Sequence, residues 1–251
     1  MQYLTQISDS IKDAELVVVG LGEEWNLSVE AKKSAPYQRI LADVKEKPEF
    51  QWLMPYVYEK LTDEKLRNAY ETLFGMLEGK NYFVVATTMN PAFLPYAKPD
   101  RVVMPCGSAM KMCDKRLAER EQYPEFLASL DAYIAGEISL EEIDFVKNEN
   151  EEMVPFNNVL APNYKEDGYL PAWNIYMRWL QGTMNRKVCL LELGAGLDYP
   201  SVFRFPFEKM TFFNQKAICF RVHSFLYQLT EEMAARSISV PVHAVTLFAS
   251  K

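Results

Sequence analysis

LVVVGLGEEWN, residues 16–26, decides how the fold is read. Four apolar residues run into Gly20-Leu21-Gly22 close to the N-terminus. That is how a buried strand enters a phosphate-cradling turn in a nucleotide-binding α/β domain. Glycines there let the backbone turn tightly and aim its amides at an anion. Here the turn runs straight into Glu23 and Glu24, two carboxylates at the place an anion would occupy.

Working outward, the same strand signal recurs as short apolar runs bounded by turn residues. The runs are YFVVA (82–86), RVVM (101–104), VCLLEL (188–193), AICFRV (217–222) and SISV (237–240). Several are apolar on both faces, as strands of a helix-covered parallel sheet must be. Helical periodicity is expected over 4–13, 36–60, 62–78, 172–183 and 224–236, with Thr62-Asp-Glu as a cap and acidic first turn. The expected architecture is an α/β, Rossmann-like, mostly parallel sheet with a smaller inserted helical or irregular lobe. The sheet domain takes residues 1–26, 79–104 and 185–251. The lobe and connecting helices take 27–78 and 105–184. Trp173, Tyr176 and Trp179 recur at helical spacing and read as packing against the sheet. The acidic stretch 141–153 reads as a solvated face.

Composition limits the function. The net charge is −7 and no Lys/Arg run exceeds two residues, so nucleic-acid binding, which needs a concentrated basic surface, is not expected. The N-terminal MQYLTQISDSIKDAE lacks the apolar centre of a signal peptide, and no segment is long enough to span a bilayer. The expectation is a cytoplasmic protein without a membrane partner. Cys106, Cys113, Cys189 and Cys219 form no CxxC pair, so neither zinc nor a disulfide framework is indicated.

LLELGAGLDYP (190–200) repeats the opening pattern: a strand feeds Gly194-Ala-Gly196, then Asp198 and Pro200. Two such turns, each after an apolar strand, are expected to flank one crevice at the carboxyl edge of the sheet. The stretch 190–223 resembles the C-terminal Rossmann segment of the sirtuins. It is most similar to the macrodomain-linked class, with its ELGxGxxxPxxxxxPFxxMTxxNxKA pattern. YFVVATTMNPAF (82–93), RVVMPCGSAMKMC (101–113) and APNYKEDGYLPAWNIYMRWL (161–180) resemble that class's strand ending in TTNxD, its next strand and loop, and its NxRxDDxFV segment with the following helix. The resemblance covers about two thirds of the chain.

It implies an NAD or ADP-ribose ligand and transfer of ADP-ribose to an acyl-lysine oxygen or to a protein side chain. Gly20, Gly22, Gly194 and Gly196 then match the two cofactor loops, and Thr87 and Thr88 the nicotinamide-ribose strand end. Asn163, Lys165 and Asp167 match the class's Asn, Arg and Asp; Lys for Arg keeps the charge but loses the bidentate fork. Asn90 is the one candidate for the ribose-holding Asn, and no Asp follows it. Cys106 falls at the base position, where a thiol acts as nucleophile only if its pKa is lowered. His223 stands where the family places an Asn beside the adenosine.

The first loop departs most. Glu23 stands at the family's serine, Leu21 replaces a small residue, and the Arg-bearing stretch is absent, leaving Lys32 and Lys33 in a different context. The amides after Gly20 are expected to face the crevice, with Glu23 or Glu24 occupying or bordering the diphosphate space. Two functions stay open: an NAD-dependent ADP-ribosyltransferase or deacylase with an altered pocket, or a sirtuin-like pseudoenzyme that binds a nucleotide metabolite or a protein. The lobe is expected to hold together without zinc, around Phe145, Val154 and Phe156.

Overall fold

The computed structural model describes residues 2–250. In chain order the strands are β1 (Leu16–Leu21), β2 (Asn81–Ala86), β3 (Val102–Val103), β4 (Gly107–Met112), β5 (Phe156–Asn158), β6 (Val188–Leu193), β7 (Ala217–Val222) and β8 (Ser237–Val240). Six of them form one sheet, ordered β3-β2-β1-β6-β7-β8, with every neighbouring pair parallel. β4 and β5 form a separate antiparallel pair, which the sequence reading did not anticipate. RVVM shortens to two strand residues, because β3 is an edge strand that pairs only with the end of β2.

The helices are α1 (Gln2–Asp13), α2 (Ala35–Glu46), α3 (Met54–Lys60), α4 (Glu64–Met76), α5 (Pro124–Ala135), α6 (Leu170–Gln181), α7 (Arg204–Phe213), α8 (Glu231–Ala234) and α9 (Ala244–Ala249). The double coating explains why β1 is apolar throughout. Val17, Val19 and Leu21 point into one core with Ile7 and Ile11 of α1, Tyr70 and Leu73 of α4, and Val245 and Phe248 of α9. Leu16 and Val18 point into the opposite core with Tyr176 of α6, Phe207 of α7 and Met233 of α8. Tyr176 and Trp179 pack on Phe83, with ring centroids 5.1 and 5.7 Å away, so this aromatic face covers the sheet.

Two helix expectations need correction. Residues 36–60 form no single helix. Pro48 has no amide to continue α2, and 3-10 turns over 48–53 lead into α3. Residues 224–236 hold only the four-residue α8. Side chains satisfy the backbone before it: His223 Nδ1 accepts from the amides of Phe225 and Leu226, and Arg204 and Arg221 donate to the carbonyls of Leu226 and Gln228. A backbone supplied this way loses the drive to wind into a helix.

A third core fills the smaller lobe. Trp52, Tyr56, Phe126 and Phe156 meet there, with Phe156 stacked on Tyr56 at 5.7 Å and Trp52 edge-on to Phe156 at 5.7 Å. Val154 is buried in this cluster and Phe145 packs against it. Each such ring contributes about 1.5–3 kcal/mol by leaving water. No helix among the described residues is long and apolar enough to cross a membrane.

Candidate functional site

The sheet register places the site. Leu21 lies opposite Ala86 and Leu193, and Leu193 opposite Val222. The next residues, Gly22, Thr87, Gly194 and His223, therefore all leave the sheet at one carboxyl edge. Strand order reverses between β1 and β6, where open α/β sheets form their ligand crevice. Gly20 and Gly194 share this edge, as the sequence predicts.

The two glycine loops are tied to each other. The amide of Gly22 donates to the Leu193 carbonyl at 2.8 Å and that of Glu24 to the Gly194 carbonyl at 3.2 Å. Gly22 must be glycine here, since a Cβ would lie 2.1 Å from the Gly194 oxygen. Gly194 turns with φ +69°, a conformation glycine adopts without strain. These amides are thus spent within the fold, which corrects the expectation that they face an open crevice.

The glutamates complete the closure. Glu23 Oε2 accepts from the Gly196 amide at 2.5 Å. Glu24 is buried. Its Oε1 accepts from the amide and hydroxyl of Ser224 at 3.0 and 2.5 Å, and its Oε2 from the Ala244 amide at 2.7 Å. Backbone amides after β6, after β7 and at the start of α9 each receive a carboxylate oxygen. Such charge-assisted bonds are about twice as strong as neutral ones.

The surrounding groups follow from this charge. Burial lowers the pKa of Lys32, and Glu24 and Glu23 pull it back up. His223 Nδ1 lies 3.6 Å from Glu24 Oε1, yet its lone pair already receives two amides. Burial also lowers its pKa, so the ring is neutral and no ion pair forms. Burial lowers His243 in the same way, and its buried Nδ1 has no hydrogen-bond partner among the described residues. The Cys106 thiol is pushed up to about 12, first by burial and then by Glu23 and Asp198. At neutral pH it is not a thiolate.

No family model matches the chain, and no curated protein does. Solved structures do match over nearly their whole length. One, concerned with the mechanism and regulation of Sir2 enzymes, has a TM-score of 0.57 at 11% identity, covering 99% of this chain and 95% of the other. Sir2Tm bound to a propionylated peptide gives 0.56 at 11% identity, covering 98% and 95%. A Sir2 homologue mutant in complex with ADP-ribose gives 0.55 at 10% identity, covering 97% and 94%. The chain has the sirtuin fold.

Within the sirtuin fold, the remaining candidate residues separate into groups. Gly20 lies in β1 against the Phe203 ring. Asn90 is fully buried; its amide nitrogen donates to the carbonyls of Asn26 and Tyr58 and to Thr62 Oγ1, while its oxygen accepts from Ala92. A ribose hydroxyl would have to displace one of these. Thr88 donates to Asn26 Oδ1 at 2.9 Å, whereas the buried Thr87 hydroxyl has no hydrogen-bond partner among the described residues. Asn163 and Lys165 line a separate depression in the small lobe with Cys113. Lys165 donates to the Asp114 carbonyl, Cys113 to the Asn163 carbonyl, and Asp167 is exposed. Among the described residues, no three His, Cys, Asp or Glu side chains are grouped so as to hold a metal ion.

Sequence reasoning missed the charges beneath the crevice. Glu192 of β6 and Arg221 of β7 are paired in register and joined by two hydrogen bonds of 2.8 and 2.9 Å. Arg204 adds a third contact to Glu192 and also donates to the Ala195 carbonyl. The signal was present: one acid and one base stand inside otherwise apolar parallel strands, at matching depth in VCLLEL and AICFRV. Buried charges must be paired, so these two call for each other.

Proposed function

We propose that this protein is a catalytically silent relative of the sirtuins, nearest the macrodomain-linked class, that works by binding and not by turning over NAD. The supporting observation is the Glu23 carboxylate on the Gly196 amide. A diphosphate lying across the two glycine loops would face this carboxylate and compete with it for the Gly196 amide. At about 4 Å, each pair of like charges costs roughly 1 to 4 kcal/mol between effective dielectrics of 80 and 20. The residues present do not fit the cofactor as they stand. The neutral, buried Cys106 thiol and the fully engaged Asn90 agree with this reading.

The ligand is then a nucleotide metabolite able to displace Glu23, or a protein partner. A second reading, NAD-dependent ADP-ribosyl or acyl transfer, has one observation in its favour. Lys32 lies close enough to feel both glutamates and makes no ion pair of its own among the described residues, so it offers a cation to a phosphate that displaces Glu23. Incubation with NAD and an acylated peptide, with nicotinamide release followed by chromatography, separates the two. The expected result is release no faster than the enzyme-free blank. Sustained release, with deacylated or ADP-ribosylated product, would establish the second reading.

A further inference from the structure

Away from the crevice, at the opposite amino edge of the sheet, the loop before β6 meets the end of α7. Together they enclose a cleft of about 290 Å³ lined by Thr183, Met184, Lys209, Met210, Phe213 and Asn214, among others. The Asn214 side chain, itself buried, fixes the floor by donating to the carbonyls of Thr183 and Arg186. The walls are Met184 and Phe213, 75% and 76% exposed. Side chains of this size standing in water next to a preformed cleft mark an interaction site, whereas scattered single ones do not.

The charge pattern says what fits there. The chain carries 34 carboxylates in 251 residues, yet none lies between Asp167 and Glu192 and none between Glu208 and Glu231. These two acid-free stretches supply the whole lining of the cleft, and Glu208, just before Lys209 in α7, is held by Arg221. They contain Lys209, at the rim, with no ion-pair partner among the described residues. Arg186 and Lys187 nearby are already paired, with Glu15 and Asp13. The lining of the cleft is thus largely apolar and holds no carboxylate, with one cation, Lys209, unpaired among the described residues at its rim. We infer that this cleft docks an acidic amphipathic helix from another protein, an apolar side chain entering between Met184 and Phe213 and a carboxylate meeting Lys209. The floor fixed by Asn214 gives the slot a depth into which a partner side chain inserts. Helix-in-groove recognition uses such anchors at helical spacing.

The probe is a labelled synthetic amphipathic helix with Leu and Phe on one face and Glu on the other, followed by fluorescence anisotropy against the full chain. A matched peptide carries Lys for Glu. The acidic peptide should bind and the basic one should not. Phe213→Ser and Lys209→Glu should each weaken binding about tenfold or more, with unchanged thermal unfolding. Phe225→Ser removes an equally exposed ring at the other edge of the sheet and should change nothing. Failure of the acidic peptide to bind, equal binding of both peptides, or insensitivity to both cleft variants would overturn the proposal. So would Phe213-dependent self-association in light scattering, or binding of anionic phospholipid vesicles without binding of the peptide.

Discussion

Glu24 spends both carboxylate oxygens on donors of Ser224 and Ala244, and His223 beside it spends its lone pair on two amides. Their neighbourhood sets a pH dependence. Burial holds both His223 and His243 below the ordinary imidazole value of 6.5. As pH falls through 6.5 the unfolded chain takes up protons that the folded chain resists, so stability is full above 6.5 and declines as pH drops toward the lowered folded values. His223→Asn keeps an acceptor for the two amides and removes one titrating ring. Urea midpoints measured from pH 7.5 to 5 should show a shallower decline for the variant than for the parent; equal slopes would mean that His223 titrates alike folded and unfolded. Cys106 is shielded by burial and by the same negative charge. With its thiol pushed up to about 12 and buried, it should resist iodoacetamide in the native protein through pH 9 and react only on unfolding. Mass-spectrometric mapping that finds Cys106 alkylated rapidly at pH 7 would contradict this.

Between elements, the loop after β1 and the loop after β6 act as a closed clasp, with Gly22 pressed on the Gly194 carbonyl. Gly22→Ala forces a methyl group into that contact and should cost about 1–3 kcal/mol of stability in chemical denaturation, the usual range for overpacking. A variant as stable as the parent would show that the loops can part freely. Elements of this kind were legible in the sequence where one local rule decided them. The five buried strands near Leu16, Tyr82, Arg101, Val188 and Ala217 were readable because double coating by helices demands apolar residues on both faces. The segment 224–236 was not, because its conformation is imposed by Arg204 and Arg221, which reach it from other elements. β4 and β5 were hidden for the same reason: they pair across the intervening residues 113–155, and GSAMKM carries little apolar alternation. At the site, the position of both glycine loops followed from pattern. That Glu24 would reach residues 200 and 220 positions away did not, since nothing local marks Ser224 or Ala244 as its donors.

For the molecule as a whole, the sirtuin fold presents two distinct regions at opposite edges of one sheet. The carboxyl edge is closed by the chain's own carboxylates, with Asp198 and Glu23 adding negative charge around Cys106. The amino edge carries the apolar, acid-free cleft. Glu23 occupies the Gly196 amide in place of an anion, and removing that carboxylate alone shows whether it excludes a ligand. Glu23→Ser leaves the structural bonds of Glu24 in place and restores the hydroxyl of the family pattern. ADP-ribose affinity is measured by calorimetry for parent and variant at low and high salt, with circular dichroism confirming the fold. Affinity should rise about tenfold to a few hundredfold in the variant, the range set by losing one to a few kcal/mol of repulsion. The gain should be largest at low salt, where the parent's repulsion is least screened. A folded variant that binds ADP-ribose no better than the parent at any ionic strength would show that Glu23 does not guard the site.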